Sequence, residues 1–190
     1  MSRLVQPTRI LIVGRGGREH ALAWKLAAEP GVNDVFVTNA PTAMVALPHV
    51  HGAAANPESP SAVVHVAQVY SVELVVIGPE ALLAAGIADA LIEAGIPVFG
   101  PTAAAARIES SKAFCREVAL TAGVPMASGR TFGAEDRAAA ADYAADLATT
   151  GGVVVKEDGL AAGKGVTVCD TAREAAAALA ATDGPIVVEE

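Results

Sequence analysis

Lysine and glycine are concentrated in one short stretch near the end of the chain. It follows an apolar run, Val153 to Val155, that predicts a buried strand, and it contains Lys156, Gly159, Gly163, Lys164 and Gly165. Glycine lets backbone N–H groups approach an anion closely, and lysine supplies compensating positive charge. The stretch from Lys156 to Gly165 is therefore expected to hold the phosphates of a nucleotide, with ATP the favoured ligand.

The spacing within this stretch excludes a Walker A loop. That motif requires four residues between its first glycine and the Gly-Lys pair, then Ser or Thr, and then a helix. Here three residues separate Gly159 from Gly163, Gly165 stands in place of the hydroxyl residue, and residues 166–169 predict a strand. The stretch is thus a phosphate-binding loop of another kind. The alternative is a surface hairpin whose lysines are only solvated.

A second glycine-rich segment, Gly14 to Arg18, follows a buried strand and precedes a predicted helix. A dinucleotide fingerprint would need glycine where Glu19 stands, and an acidic residue where the second strand ends in Thr38-Asn39. A nicotinamide or flavin site is therefore disfavoured. A helix N-terminus beside glycines can still bind an anion, and Arg18 suits phosphate or carboxylate. Alternatively, the glycines only permit a tight turn.

A third candidate lies in the turn Gly78-Pro79-Glu80, directly after a predicted strand. Ligands of open α/β sheets bind at the carboxyl ends of the strands, which is where this turn falls. Glu80 could contact an amine or a hydroxyl group. It could equally be a favourable charge at the start of a helix, and the sequence leaves both readings open.

Apolar runs alternate with helical patterns over the first half of the chain, which predicts an α/β fold with a doubly wound, mostly parallel sheet. The predicted strands are 10–13, 35–37, 74–77 and 98–99, and the predicted helices are 19–28, 61–70 and 82–94, with 40–58 a loop holding at most one short strand. The second half changes pattern. It predicts helices at 103–108, 112–122, 136–148 and 172–181 and strands at 131–132, 153–156, 166–169 and 186–188. We therefore divide the chain into domains 1–109 and 110–190.

The composition of the chain argues against several classes of protein. The net charge is −8 and only 4% of residues are aromatic, which disfavours a nucleic-acid binder. The two cysteines, Cys115 and Cys169, are far apart, so a disulfide framework or zinc site is not expected and a reducing cytoplasm fits best. The longest apolar candidate, 84–100, is interrupted by Asp89 and Glu93, which argues against a membrane span. The first residues do not resemble a secretory signal.

The sequence GLAAGKGV after VVVK resembles the phosphate-covering loop of ATP-grasp ligases, in particular of phosphoribosylamine–glycine ligases (glycinamide ribonucleotide synthetases). Five further segments resemble the same family, in its order and near its spacing. They are GRGGREHALAWK at 14–25, VIGPE at 76–80, PVFGPT at 97–102, SKAF at 111–114 and IVVEE at 186–190. The resemblance implies a pre-ATP-grasp domain followed by an incomplete ATP-grasp α+β subdomain.

The resemblance also implies roles for individual residues. On the nucleotide side, Lys112 and Lys156 would contact the phosphates, the loop Gly159 to Gly165 would close over them with Lys164 nearby, and Glu189 and Glu190 would begin the hinge at the adenine edge. The side facing phosphoribosylamine and glycine would be lined by Gly16, Gly17, Arg18, Glu19, Gly78, Pro79 and Glu80. No catalytic residue and no metal ligand is assigned within the chain.

The reaction that the resemblance implies is a step of purine biosynthesis. Glycine carboxylate attacks the γ-phosphate of ATP to give glycyl phosphate, and the amine of 5-phosphoribosylamine then displaces phosphate. The products are glycinamide ribonucleotide, ADP and phosphate. The cofactors would be ATP and Mg²⁺ or Mn²⁺ bridging its phosphates, and the partners would be these small molecules alone.

Three positions depart from the family pattern. Residues 39–43 lack the glycines of the family's P-G-N-A-G-T loop, Leu82 replaces a proline, and Glu157 replaces an alanine. A carboxylate beside the glycine loop should weaken anion binding by like-charge repulsion. Two alternatives therefore stay open: a degenerate, non-catalytic module that binds a nucleotide or a partner, and another ATP-grasp carboxylate–amine ligase. The REHALAWK helix argues against the second.

The resemblance stops inside the adenine hinge, at Glu190. The family's later Mg²⁺-binding carboxylates and C-terminal domain have no counterpart here, and Asp136, Asp142 and Asp146 predict only a solvated helix face. The chain is thus expected to be an N-terminal portion, inactive alone. Ending at this point should also leave an apolar edge exposed at Ile186 to Val188, through which the chain could self-associate.

Overall fold

The computed structural model describes residues 6–161 and 163–190. They form two compact units, the first ending at Ala106 and the second running Arg107–Glu190. The domain division at 109/110 stays a prediction. The two units are described separately below.

The first unit is built on a five-stranded parallel sheet with strand order β3-β2-β1-β4-β5. Its elements in chain order are β1 (Arg9–Val13), α1 (Gly17–Ala27), β2 (Asp34–Thr38), α2 (Thr42–Val45), β3 (Val50–Ala53), α3 (Pro60–Val69), β4 (Leu74–Ile77), α4 (Glu80–Ala84), α5 (Ile87–Glu93) and β5 (Val98–Phe99). Helix α6 (Ala103–Ser110) contains the boundary between the two units. The predicted doubly wound sheet is confirmed.

The central strand β1 explains why the sheet is covered on both faces. Leu11 and Val13 pack with residues of α3 and α5 in one core cluster, whereas Ile10 and Ile12 pack with residues of α1 and α2 in another. A strand buried on both sides is a continuous apolar run, which is why the sequence alone predicts this strand. The chain leaves β1 toward β2 on one side and later returns to β4 on the other, so β1 and β4 flank the topological switch point.

Two sequence predictions in this unit need correction. The predicted helix 82–94 is two helices, α4 and α5, separated at Gly86, whose φ of +83° is a left-handed conformation that ends α4. The segment 40–58 contains β3, which matches the one short strand allowed there, but also the unpredicted helix α2. β3 pairs with β2 and buries only Val50 and Ala53, so its short apolar signal was weak.

The second unit is a four-stranded antiparallel sheet with strand order β6-β9-β7-β8. Its elements are α7 (Lys112–Thr121), β6 (Gly129–Phe132), α8 (Arg137–Leu147), β7 (Val153–Glu157), β8 (Val166–Cys169), α9 (Ala172–Ala180) and β9 (Ile186–Glu189). Alternate residues of the strands, among them Val153, Val155, Ile186 and Val188, form the core with α8 and α9. Lys156 and Glu189 therefore belong to the opposite face of the sheet.

The predicted exposed apolar edge at Ile186 to Val188 is wrong. β9 lies between β6 and β7, and the three residues are at most 2% exposed. Both neighbouring strands come from within the chain, an arrangement that the order of elements along the sequence does not reveal. The proposed route to self-association through this edge therefore loses its basis.

The exposed face of α8 agrees with the sequence prediction. The side chains of Asp136, Asp142 and Asp146 are exposed, as predicted for a solvated face. Within residues 6–161 and 163–190, no helix is both long enough and apolar enough to cross a membrane.

Substituting Gly86 tests whether its backbone conformation separates α4 from α5. A Cβ at this position would meet only the Asp89 carboxylate, at 3.9 Å, so the cost of Gly86→Ala is conformational. We expect a loss of about 1–2 kcal/mol in the free energy of unfolding by urea. Gly86→Asn should lose less, because asparagine tolerates the left-handed region. Equal losses for the two variants would contradict this explanation.

Candidate functional site

The carboxyl ends of β1 and β4 bring two of the predicted segments together in the first unit. A pocket of about 290 Å³ is lined by Gly16, Gly17, Arg18, Glu19, Pro79 and Glu80. These are six of the seven residues predicted to face the substrates, and the seventh, Gly78, contacts the Glu19 side chain. We call this cavity the switch-point pocket. That the pocket binds substrate remains a prediction.

Glu19 fills the floor of the switch-point pocket. It is 3% exposed, and its carboxylate accepts a hydrogen bond from the Gly16 N–H at 2.5 Å, capping the first turn of α1. A Cβ on Gly78 would overlap this carboxylate, so the turn after β4 requires glycine. The helix N-terminus that would attract a pyrophosphate in a dinucleotide site is thus occupied by a carboxylate of the chain itself. This explains physically why the fingerprint fails at position 19.

Arg18 and Glu80 form the rim of the pocket. The Arg18 guanidinium donates a hydrogen bond to the Gly78 carbonyl and lies 3.5 Å from the Glu80 carboxylate. Both side chains are substantially exposed, at 61% and 44%. An ion pair this exposed is weak, so an incoming anion can compete for the guanidinium. Glu80 also begins α4, as one of the two readings of this residue expected, and its contact with a substrate amine or hydroxyl stays a prediction.

In the second unit, the glycine-rich stretch is anchored to the start of α7. We call residues 158–161 and 163–165 the glycine loop. The Lys112 ammonium donates a hydrogen bond to the Gly159 carbonyl at 2.8 Å. Asp158 accepts hydrogen bonds from the Ser111 hydroxyl at 3.0 Å and from the Ala113 N–H at 3.1 Å. Lys112 and the first residues of the loop therefore form one hydrogen-bonded arrangement. That they bind phosphate remains a prediction.

The backbone of the glycine loop joins β7 to β8 as a hairpin. The Glu157 N–H donates to the Gly165 carbonyl at 2.8 Å, and the Lys164 N–H donates to the Ala161 carbonyl at 2.9 Å. Gly159 and Gly163 have φ values of +107° and +79°, which other residues rarely adopt. The glycines thus allow the turn itself as well as a close approach of backbone N–H groups to an anion. The Lys164 residue is exposed.

Lys156, the penultimate residue of β7, belongs to a largely buried cluster of charges. Its ammonium contacts one oxygen of the Glu189 carboxylate, and the Arg116 guanidinium lies 3.4 Å from the other oxygen. Two residues predicted to face the nucleotide, Lys156 and Glu189, are therefore in contact. We call Lys156, Glu189 and Arg116 the charge cluster. Arg116 was not predicted, because a single arginine on an amphipathic helix gives no sign in the sequence that it is buried.

Glu190, the second residue predicted for the adenine hinge, is held by Ser128. Its carboxylate accepts hydrogen bonds from the Ser128 hydroxyl at 2.8 Å and from the Ser128 N–H at 3.2 Å. These two bonds lower the pKa of the Glu190 carboxyl below its ordinary value, the hydroxyl contributing most. The side chains of Glu189 and Glu190 are thus both engaged by protein groups, and the Glu190 N–H donates to the Ser128 carbonyl at 3.0 Å. That these residues form the adenine hinge remains a prediction.

A larger cleft in the second unit was missed by the sequence reasoning. It has a volume of about 750 Å³ and is bounded by α7, β6 and Asp158, with Arg107, Arg116 and Arg130 among its lining residues. Arg107 stacks on the Phe114 ring at 3.9 Å. Within the described residues, no group of three or more His, Cys, Asp or Glu side chains could hold a metal ion. The lining of the cleft combines the guanidinium groups of these arginines with the carboxylates of Glu117 and Asp158.

Comparison with protein families identifies both halves of the chain. The N domain of phosphoribosylglycinamide synthetase matches residues 8–109, and the ATP-grasp (A) domain of the same protein matches residues 110–184. The phosphoribosylamine–glycine ligase of Rhodopirellula baltica is 47% identical over 174 residues, which are 90% of this chain and 39% of that protein. That of Streptomyces coelicolor is 47% identical over 186 residues, 96% of this chain and 42% of that protein. The chain thus spans about two fifths of the length of these curated relatives.

Solved structures show the same fold. The phosphoribosylamine–glycine ligase of Thermotoga maritima superposes with a TM-score of 0.69 at 24% identity, over 96% of this chain and 43% of that one. The biotin carboxylase domain of the 2-oxoglutarate carboxylase of Hydrogenobacter thermophilus, solved with MgADP and bicarbonate, gives 0.75 at 20% identity, over 97% of this chain and 44% of that one. At these identities the likeness concerns the fold, which is that of the N-terminal part of ATP-grasp enzymes.

Gly78→Ala tests the close packing of Glu19 in the switch-point pocket. The added methyl group should expel the carboxylate and break its bond to the Gly16 N–H, lowering the free energy of unfolding by about 1–3 kcal/mol. Gly17→Ala is the matched control, because nothing lies within 4 Å of its Cβ. Both are measured by urea unfolding. A Gly78→Ala variant as stable as Gly17→Ala would show that Glu19 is not fixed there.

Ser128→Ala tests the contact at the end of β9. Losing the hydroxyl should raise the pKa of Glu190 toward its ordinary value, measured by NMR titration of the carboxyl carbon. Because the folded pKa is depressed, the stabilisation is present above the ordinary pKa and is lost as pH falls through the folded pKa. The stability difference between wild type and variant should therefore vanish at low pH. Glu73, whose pKa is lowered chiefly by the Thr8 backbone N–H, is the internal control and should not change. An unaltered Glu190 titration would contradict the assignment.

Proposed function

This chain belongs to the phosphoribosylglycinamide synthetase family, and on that premise we propose that it forms the N-terminal part of an ATP-dependent ligase. The ligase joins glycine to 5-phosphoribosylamine and gives glycinamide ribonucleotide, ADP and phosphate. One observation carries the proposal: Lys112 bonds to Gly159 of the glycine loop, and Lys156 is the penultimate residue of the strand that leads into this loop. Each of these two cations thus lies beside the beginning of the glycine loop, one through a hydrogen bond and the other through the chain.

The proposed reaction has two steps. The glycine carboxylate attacks the γ-phosphorus of ATP, the bond to the ADP oxygen breaks, and glycyl phosphate forms. The amine of phosphoribosylamine then attacks the glycyl carbonyl, inorganic phosphate leaves, and the amine proton is released. Lys112, Lys156 and the N–H groups of the glycine loop would neutralise and align the phosphates. Because the described residues offer no group of three or more carboxylate, His or Cys ligands, we assign no step of this chain to Mg²⁺ or Mn²⁺.

The switch-point pocket is proposed to face the other substrates. Arg18 is the group best placed to take a phosphate or carboxylate, since its partner Glu80 holds it only in an exposed ion pair. The buried Glu19 carboxylate disfavours an anion directly at the helix N-terminus. We therefore expect the phosphate of phosphoribosylamine or the carboxylate of glycine to bind at the rim, against the guanidinium.

One observation favours a second candidate, a binding module without catalysis. The segment 39–43, which lacks the family's glycines, runs into helix α2 at Thr42, and Asn39 donates a hydrogen bond to the Ala55 carbonyl at 2.7 Å. An ordered segment of this kind could close the substrate side while leaving the nucleotide side intact. Calorimetry separates the two candidates. Binding of both ATP and glycinamide ribonucleotide supports the ligase, whereas binding of ATP alone supports the module.

The cellular setting is part of the same proposal. The two cysteines are both free, and the proposed partners are small molecules of central metabolism. We therefore place the protein in the cytoplasm, acting on glycine, phosphoribosylamine and ATP without a nucleic-acid or membrane partner.

A chimera tests the activity directly. This chain replaces the matching segment of the Streptomyces coelicolor ligase, and glycinamide ribonucleotide formation is followed with purified enzyme. We expect the chimera to form product and the 190-residue chain alone to form none. Lys156→Met should reduce kcat/KM for ATP at least about tenfold, because a charge facing the phosphates is lost. Lys25→Met, which removes an exposed charge on α1, is the matched control and should leave kcat/KM unchanged.

Two results would overturn the proposal. A folded chimera without product would remove the assigned activity, whereas a fully active Lys156→Met chimera would remove the assigned role of this lysine.

A further inference from the structure

Arg116 is a buried cation that the proposed site has not yet used. It lies on α7 one helical turn after Lys112 and is 6% exposed. One guanidinium nitrogen donates to the carbonyls of Ala127 at 2.9 Å and Gly129 at 2.8 Å, and another lies 3.4 Å from the Glu189 carboxylate. These three groups hold the guanidinium in position, and only 7% of the side chain is exposed. Arg116 would therefore influence a bound ligand through the residues that it contacts.

The contact between Arg116 and Glu189 depends on the absence of a side chain at Gly129. Gly129 pairs with Glu189 across β6 and β9. A Cβ on Gly129 would lie 2.6 Å from both the Glu189 Cβ and the Val188 carbonyl oxygen, so a side chain there would force the strands apart. The absence of that side chain lets α7, β6 and β9 approach closely enough for Arg116 to reach both the Gly129 carbonyl and the carboxylate.

The charges of the cluster do not cancel. Two cations, Lys156 and Arg116, share the single carboxylate of Glu189, which leaves one positive charge in excess. The Lys156 side chain is 27% exposed and that of Arg116 only 7%, so Lys156 is the member that a solute can reach. If Arg116 were neutral, Glu189 would compensate Lys156 completely, and the excess charge would disappear.

We propose that Arg116 is a positioning residue that neutralises Glu189 and thereby keeps the charge of Lys156 available to an anionic phosphate. This inference rests on the proposed function for its ligand, the polyphosphate of a nucleotide. The effect of Arg116 on the charge of Lys156, through Glu189, does not depend on which anion binds.

The test measures how fast Lys156 reacts with an anionic amine reagent. The 190-residue chain is treated with trinitrobenzenesulfonate, and labelling of each lysine is followed by peptide mass spectrometry. Arg116→Gln and Arg116→Lys form a matched pair, because both lose the guanidinium fork and only Gln loses the charge. Lys25, in the first unit, is the internal standard. Circular dichroism monitors folding.

We expect labelling of Lys156, relative to Lys25, to fall roughly three- to tenfold in Arg116→Gln, because the uncompensated Glu189 pairs with the ammonium and repels the reagent. Arg116→Lys should keep the wild-type rate within about twofold. Adding Glu189→Gln to Arg116→Gln should restore labelling, since no carboxylate remains. If Arg116→Gln alone does not fold, the double variant carries the test, with wild-type or faster labelling expected.

Several outcomes would overturn the proposal. They are an unchanged rate in Arg116→Gln, equal losses in the Gln and Lys variants, slow labelling in the double variant, and a wild-type Lys156 that does not react at all. Failure of the proposed function is distinguishable, because it appears as absence of ATP binding while the labelling pattern persists. Where ATP binds, its Kd should rise in Arg116→Gln and recover in Arg116→Lys.

Discussion

Placing the Glu189 carboxylate inside the second unit is the constraint on which the candidate nucleotide site depends. An ionised carboxylate is costly to bury unless cations and hydrogen-bond donors accompany it. Arg116 from α7 and Lys156 from β7 both reach it, and Arg116 also contacts carbonyls beside β6. One buried charge thus fixes α7, β7 and β9 around the point where the glycine loop begins.

The first unit also contains a buried glutamate. Glu19 is buried at the start of α1, where it accepts the Gly16 N–H and benefits from the helix dipole. Here the carboxylate occupies a position that other nucleotide-binding sheets leave open for a phosphate. The two units therefore use buried carboxylates in opposite ways. In the first, the carboxylate excludes an anion from the helix terminus, and in the second it is overcompensated so that positive charge remains.

Much of the fold was predictable because its signals are local. β1 and β4 are continuous apolar runs, and both lie where predicted because strands covered on two faces must be apolar throughout. The resemblance to the ligase family implied that the two turns of the switch-point pocket line one side, and parallel strands place their carboxyl ends at one edge of the sheet. Most of the features that were not predicted depend on contacts between residues far apart in the sequence. The position of β9 in the middle of its sheet depends on pairing with β6, which lies more than fifty residues earlier. The burial of Arg116 depends on the same packing, and the break at Gly86 depends on a backbone conformation.

The most direct measurement of the central claim is an NMR titration of the ¹⁵N-labelled chain with ATP. We predict saturable shifts in the amide signals of Lys156, the glycine loop and Glu190, with the core of the first unit unaffected. Absence of saturable shifts in these signals, or shifts confined to residues 16–19, would contradict the claim that the second unit holds the nucleotide phosphates.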